Sequence, residues 1–227
     1  MSSIPYRIRR SSRARYARIV VDGDGVEVVV PDGFALRRVE PFVEEKRPWI
    51  ERTLRRMGES QAELPPARIE DGGEVPYLGE RLALRLRRRS SRTLVRVRGG
   101  ELEVAGSVLD GSAVRAALEG WYRRRAREEV TRRLDAAVER AGASYDSLQI
   151  RGQRTRWASC SSSGSMSFNW RLLLAPAEIL DYVVEHEVAH LTVPDHSERF
   201  WSLLAGRCPE WRERERWLRR HGHALRL

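Results

Sequence analysis

Residues Asp181–Trp201 read DYVVEHEVAHLTVPDHSERFW, and they hold three of the chain's five histidines. His186 and His190 bracket Glu187, and His196 follows six residues after His190. Side chains four apart on a helix share one face. His186 and His190 therefore project side by side, a placement that suits two imidazole nitrogens on one ion. Glu187, one residue on from the first imidazole, reaches a water on that ion without ligating it. This is the H-E-x-x-H arrangement, in which two histidines hold zinc and the glutamate serves as general base.

A five-residue pattern with three fixed positions also arises by chance, so its surroundings decide its weight. Pro176 suits the first turn of a helix, and Ile179, Leu180, Val183, Val184, Val188 and Leu191 mark the helix as buried. Ionisable groups in a buried helix are costly without partners. Pro194 predicts a turn after His190. Asp195 and Glu198 have the spacing of a capping box, which predicts His196 in the first turn of a following helix. A helix, a tight turn and a returning histidine close a three-histidine site. The competing reading, core histidines with ordinary hydrogen bonds, accounts for single histidines better than for this trio. It is preferred for His221 and His223, whose segment RRHGHALRL reads as a solvated basic tail.

The rest of the chain predicts an α+β fold. RARYARIVV and GVEVVVP flank Asp22-Gly23-Asp24-Gly25, a hairpin signal. Val39 to Met57 has helical spacing, with Val39, Phe42, Val43, Trp49, Ile50 and Leu54 as one apolar stripe and Pro48 as a break or a new first turn. GESQAELPPARIEDGG reads as a linker. EVPYLGERLALRLRRR and RTLVRVRGGELEVAG alternate as half-buried strands. A long helix is expected from Ser112 to Ala141, with Gly142 as its stop. SLQIRGQRTRWASC and SMSFNWRLLLAP around SSSG form a second hairpin. Pro209 divides one or two short helices at the end. The expected organisation is a β-rich N-terminal region, 1–110, and a domain, 111–227, that carries the histidines.

The chain of 227 residues is long enough to bury a sizeable core, and 41% apolar content with seven tryptophans argues for a globular protein. Lys+Arg exceeds Asp+Glu by 42 to 32, a formal charge of +10, and the single lysine is Lys46. That balance allows non-specific contact with nucleic acid through a basic surface, or simply follows from an arginine-rich proteome. Cys160 and Cys208 are too few for a disulfide framework. With no signal-peptide h-region and no apolar run near the ~20 residues of a span, a cytoplasmic protein without a membrane partner is expected.

The stretch RTRWASCSSSGSMSFNWRLLLAPAEILDYVVEHEVAHLTVPDHSERFW resembles the YgjP-like family of bacterial proteins, small zincins related to the SprT and WLM metallopeptidases. The likeness runs from about Gln149 to Trp201, with a weaker echo at Trp49-Ile50. It implies zinc held by His186, His190 and His196, with Glu187 as general base. It also implies a zincin-like C-terminal domain with a β-hairpin beside the active-site helix. The histidine spacing is shared with metzincins, but Val193 stands where they have glycine and no methionine follows His196 for a Met-turn.

Beside such a helix, Arg156, Trp157, Asn169 and Arg171 are candidate substrate-binding residues. An adjacent strand edge pairs with an extended peptide, or an arginine holds an anionic oxygen in the transition state. Core aromatics and solvated arginines are the competing reading. Tyr182 shares a face with His186 and is a candidate donor. Cys160 has a rival reading as a zinc ligand or redox switch, and Phe200 and Trp201 are expected to pack and fix His196. The leading expectation is a zinc-dependent peptidase acting on polypeptides. The alternatives are a metal-dependent hydrolase of nucleoside triphosphates, without a P-loop, and a DNA-associated protease of the SprT kind.

Overall fold

The computed structural model describes residues 4–23, 25–89, 92–153 and 156–227. Asp24 of the first hairpin and Arg154 and Thr155 of the RTRW segment lie outside the described residues. The chain forms two compact units, one of residues 1–65 with 220–224, the other of 66–219 with 225–227.

Valine organises the first unit. Strands β1 (Tyr6–Arg10), β2 (Arg18–Asp22) and β3 (Gly25–Val30) form a sheet in the order β1-β3-β2, with β3 parallel to β1 and antiparallel to β2. On the central strand Val26, Val28 and Val30 alternate onto one face, where they meet Val39, Val43 and Ile50 of helix α1 (Val39–Glu63). The apolar stripe is narrower than expected, since Trp49 is 42% exposed and Leu54 36%. Pro48 lies inside α1 and does not end it. It is exposed, so its missing N–H faces water, while buried Val43 and Ile50 hold the turns on either side. The expected linker is helix as far as Glu63. Ser60, fully buried, hydrogen-bonds through Oγ to His221 Nδ1 at 2.8 Å, and Glu63 pairs with Arg220. A partner 161 residues away thus orders a locally polar stretch. The same contacts correct the solvated tail: His221 is 5% exposed, and His223 Nε2 lies 3.3 Å from the Met57 carbonyl oxygen.

The expected boundary at 110/111 does not coincide with the division into units. Strands β4 (Glu74–Tyr77), β5 (Glu80–Arg88), β6 (Leu94–Arg98) and β7 (Glu101–Gly106) form a sheet in the order β4-β5-β7-β6. Helix α2 (Gly111–Ala141) packs on β6 and β7, which ties this sheet to the helices after it. The tight turns carry positive φ, at Leu78 and Gly79 and at Gly99 and Gly100, as two-residue hairpins require. Asp110 caps α2 by accepting from the main-chain N–H groups of Ser112 and Ala113, and Gly142 ends it in the left-handed conformation.

Strands β8 (Ser147–Arg151), β9 (Ala158–Cys160) and β10 (Ser165–Asn169) form the last sheet, in the order β8-β10-β9. The expected hairpin is β9–β10, while β8 runs parallel to β10 on its other side. Trp170–Leu174, expected to continue the strand, is a 3-10 turn capped by the Asn169 side chain, which accepts from Arg171 N–H. Helix α3 (Ala177–His190) follows Pro176 and packs against α2, β9 and helix α4 (Glu198–Arg207). Helix α5 is Trp211–His221. Two ion pairs clip α3 to α2: Arg133 Nε to Asp181 at 2.7 Å and Arg140 Nη2 to Glu185 at 2.6 Å.

Candidate metal centre

Helix α3 carries its polar site on an otherwise buried surface. Ile179, Leu180, Val183, Val184, Val188 and Ala189 are buried around it. One turn apart, His186 and His190 present imidazoles whose ring centroids lie 5.0 Å apart. The chain turns after His190, and His196 returns from the loop before α4. Ser197, not Asp195, is the helix N-cap, so His196 lies just outside the helix instead of in its first turn. Asp195 still shapes the turn, because its carboxylate accepts from Ser197 N–H at 3.0 Å.

The three histidines bring ligand atoms within 4.8 Å of one another, a group able to hold a metal ion. His186 Nε2 and His196 Nε2 are 3.1 Å apart. Tetrahedral ligands at ~2.0–2.1 Å from zinc stand about 3.3 Å from each other, so this pair already has the span of two ligands. His190 Nδ1 faces the Val193 carbonyl oxygen at 3.2 Å. With the proton on Nδ1, that bond leaves Nε2 as a lone-pair donor. His186 Nδ1 is buried with no hydrogen-bond partner among the described residues.

Phe200 is the floor of the site. It is fully buried, stacks on His190 at 4.5 Å, and sets its ring 4.9 Å from His186 and 4.8 Å from His196. Trp201 covers His196 at 5.5 Å and stacks in turn on Trp211 at 4.4 Å. Burial and the two neighbouring imidazoles push the His186 pKa down to about 3, which keeps the ring neutral and available as a ligand.

Glu187, next to His186 on α3, is 6% exposed. Burial pushes its pKa up to about 7, against the opposing effect of the nearby Cys160 main-chain N–H. Cys160 belongs to β9, the outer strand of its sheet. Asn169 N–H donates to Trp157 and Ser161 N–H to Ser165, so residues 157, 159 and 161 bond to β10. The main-chain groups of Ala158 and Cys160 point the other way, from the free edge of the sheet toward α3. Sequence reasoning passed over this anchor because a main-chain donor leaves no signature in residue type. The Val193 carbonyl escaped it for the same reason.

The remaining candidates divide. Asn169 serves the loop: its Nδ2 donates to the Gln153 and Arg156 carbonyls at 2.7 and 3.2 Å. Arg171 lies over the Trp170 ring at 4.6 Å and donates to the Gly152 carbonyl. Arg156 is exposed and Trp157 half-buried, next to the free edge in sequence. Tyr182 is buried, with its ring 5.9 Å from His186. The Cys160 thiol donates to the Ser161 carbonyl and is not part of the metal-capable group, and burial raises its pKa. Among the described residues no helix is long and apolar enough to cross a membrane.

A search of curated proteins finds no match to the chain. Among solved structures, the metallopeptidase zymogen of Pyrococcus abyssi abylysin is similar at 26% identity and a TM-score of 0.36, over 39% of this chain and 91% of that one. The family model described as YgjP-like, metallopeptidase domain, matches residues 15–221. With nearly its whole length matched and three histidines gathered beside a buried glutamate, the chain belongs to the YgjP-like metallopeptidase family.

Proposed function

We propose that the protein is a zinc-dependent peptidase that cleaves extended polypeptide segments laid along the free edge of β9. The observation that carries this reading is the gathering of one ligand nitrogen from each of three histidines within 4.8 Å, with buried Glu187 next to His186 on α3. Three neutral nitrogen ligands that leave a fourth position open are the make-up of catalytic zinc, so His186, His190 and His196 would hold the ion. Bound there, zinc supplies a Lewis acid and brings the pKa of a coordinated water to about 7.

Glu187 moves the proton. Its carboxylate accepts a proton from the attacking water and delivers it to the departing amine nitrogen. Burial suits the task, since in the metal-free protein it raises the readiness of the carboxyl to take a proton. The carboxyl lies near the Cys160 N–H on the strand edge. Ala158 and Cys160 offer main-chain groups on that side, and an extended peptide pairs with such an edge by β-augmentation. The half-buried Trp157 and exposed Arg156 would meet its side chains. Two free cysteines suit a reducing compartment such as the cytoplasm.

The test is one incubation of zinc-loaded protein with an unfolded polypeptide and a mixture of nucleoside triphosphates, beside Glu187→Gln. Cleavage of the polypeptide by the wild type alone supports the reading. Release of phosphate or pyrophosphate without proteolysis overturns it in favour of phosphoryl chemistry at the same centre.

A further inference from the structure

Away from the three histidines, a second cluster lies where β8 ends. Gly152 has no need of positive φ, yet a side chain there would press on three nitrogen-bearing groups. A Cβ built on it would lie 2.7 Å from Arg123 Nη2, 3.0 Å from Trp170 Nε1 and 3.4 Å from Arg171 Nη1. Three N–H-bearing groups, from α2 and from the 3-10 turn after β10, thus converge on the bare face of one glycine. Trp170 is 1% exposed, and its Nε1 is buried without a hydrogen-bond partner among the described residues. An indole N–H only donates, so the partner it lacks is an acceptor.

We infer that Trp170, Arg123 and Arg171, gathered at Gly152, form a binding site for a single oxyanion, a carboxylate or a phosphoryl group. Buried donors are nearly always paired, and a donor flanked by two guanidiniums favours an anionic acceptor through charge-assisted bonds. The floor is rigid. The Trp170 ring packs with the Arg171 guanidinium, 4.6 Å away, and with the Tyr122 ring, 5.7 Å away. Arg171 Nη1 donates to the Gly152 carbonyl at 3.3 Å, which holds the arginine at the rim. Arg123 Nε and Nη2 both donate to Glu119 Oε1, at 2.9 and 2.7 Å. That carboxylate orients the guanidinium and must share it with the ligand. Arg127 and Arg151, bonded to the Leu148 carbonyl and to Gln149 beside the same strand, add to the positive field.

The site stands independently of the peptidase reading, because the test reads binding and not turnover. The full chain, labelled with nitrogen-15, is titrated with inorganic phosphate and separately with acetate. The indole N–H signal of Trp170 is identified by its loss in Trp170→Phe. In the wild type that signal shifts and saturates. Gly152→Ala, which places a methyl among the three donors, abolishes the shift, and Arg123→Gln weakens binding about tenfold. If Gly152→Ala does not fold by circular dichroism, Arg123→Gln and Arg171→Gln decide. Tighter binding of phosphate assigns the site to a phosphoryl group, and tighter binding of acetate to a carboxylate such as a peptide C-terminus. A Trp170 signal indifferent to both anions, or one unaffected by the arginine variants, overturns the inference.

Discussion

The Cys160 main chain, on the outer strand β9, lies close enough to the buried Glu187 carboxyl to oppose the rise that burial gives its pKa, which sets the middle of α3 beside that edge. The residue proposed to move the proton therefore stands beside the strand proposed to receive a peptide. A one-residue slip of β9 against β10 would turn the Cys160 N–H toward β10 and away from the carboxyl. The turn that prevents this slip is built from Ser161 to Gly164. Gly164 has a φ of 79°, and Ser161 Oγ accepts from Ser165 N–H at 3.0 Å.

Metal-free protein will be most stable between the ordinary pKa values of its glutamate and its histidines, because two groups of the site bound it from opposite sides. The Glu187 pKa is raised from 4.5 to about 7, so its contribution is complete below pH 4.5 and is lost as pH rises through 7. The His186 pKa is lowered from 6.5 to about 3, so its contribution is complete above pH 6.5 and is lost as pH falls toward 3. Glu187→Gln removes the first limit. At pH 8 the chelator-treated variant should be more stable than wild type, by on the order of 3 kcal/mol at most, and at pH 4.5 the two should coincide. Thermal unfolding at the two pH values checks this, and an equal difference at both would contradict it.

Metal should bind through all three histidines. His196→Ala should weaken zinc binding at least about a hundredfold, since loss of a mere supporting partner costs ~10–100-fold. Because His196 lies outside both helices and is exposed, its removal should leave the stability of the metal-free protein nearly unchanged. Wild type should gain about 4 kcal/mol from zinc at a thousand times its Kd. A competition titration with a chromophoric chelator, beside a melt with and without zinc, separates the two effects.

The helix of the site was legible because each signal in it is local. The four-residue spacing of His186 and His190, the proline at its start and the apolar run around it all belong to one segment. The long helix was legible for the same reason, through its apolar spacing and Gly142 at its end, while its Asp110 cap went unread. What escaped is carried by distant partners or by the main chain. The last turns of α1 read as linker because Ser60 is ordered by His221, and the parallel pairing of β8 with β10 leaves no turn signal between neighbours. Trp170–Leu174 read as strand because an apolar run does not distinguish a buried strand from a buried turn.

Phe200→Ala should cost ~3–5 kcal/mol and also weaken metal binding, because its ring touches all three imidazoles. Phe200→Leu refills most of the volume and should recover most of the stability while restoring less of the affinity, since a branched side chain does not offer His190 a flat face to stack on. Urea unfolding of the metal-free forms and zinc competition on the folded ones give the two quantities. Loss of stability without any loss of affinity would reduce Phe200 to a core residue.

Ser60 and His221 should behave as a coupled pair. Ser60 is fully buried and His221 5% exposed, so Ser60→Ala leaves the imidazole Nδ1 without its partner at a cost of ~1–3 kcal/mol. His221→Ala adds lost packing to that cost, and the double variant should cost less than the sum of the two singles. The neighbouring Arg220–Glu63 pair is about half exposed on both sides, so Glu63→Ala should cost under ~1 kcal/mol. A double-mutant cycle by urea unfolding measures the coupling. Additive single costs would mean that packing alone, and not the Ser60–His221 bond, orders the last turns of α1.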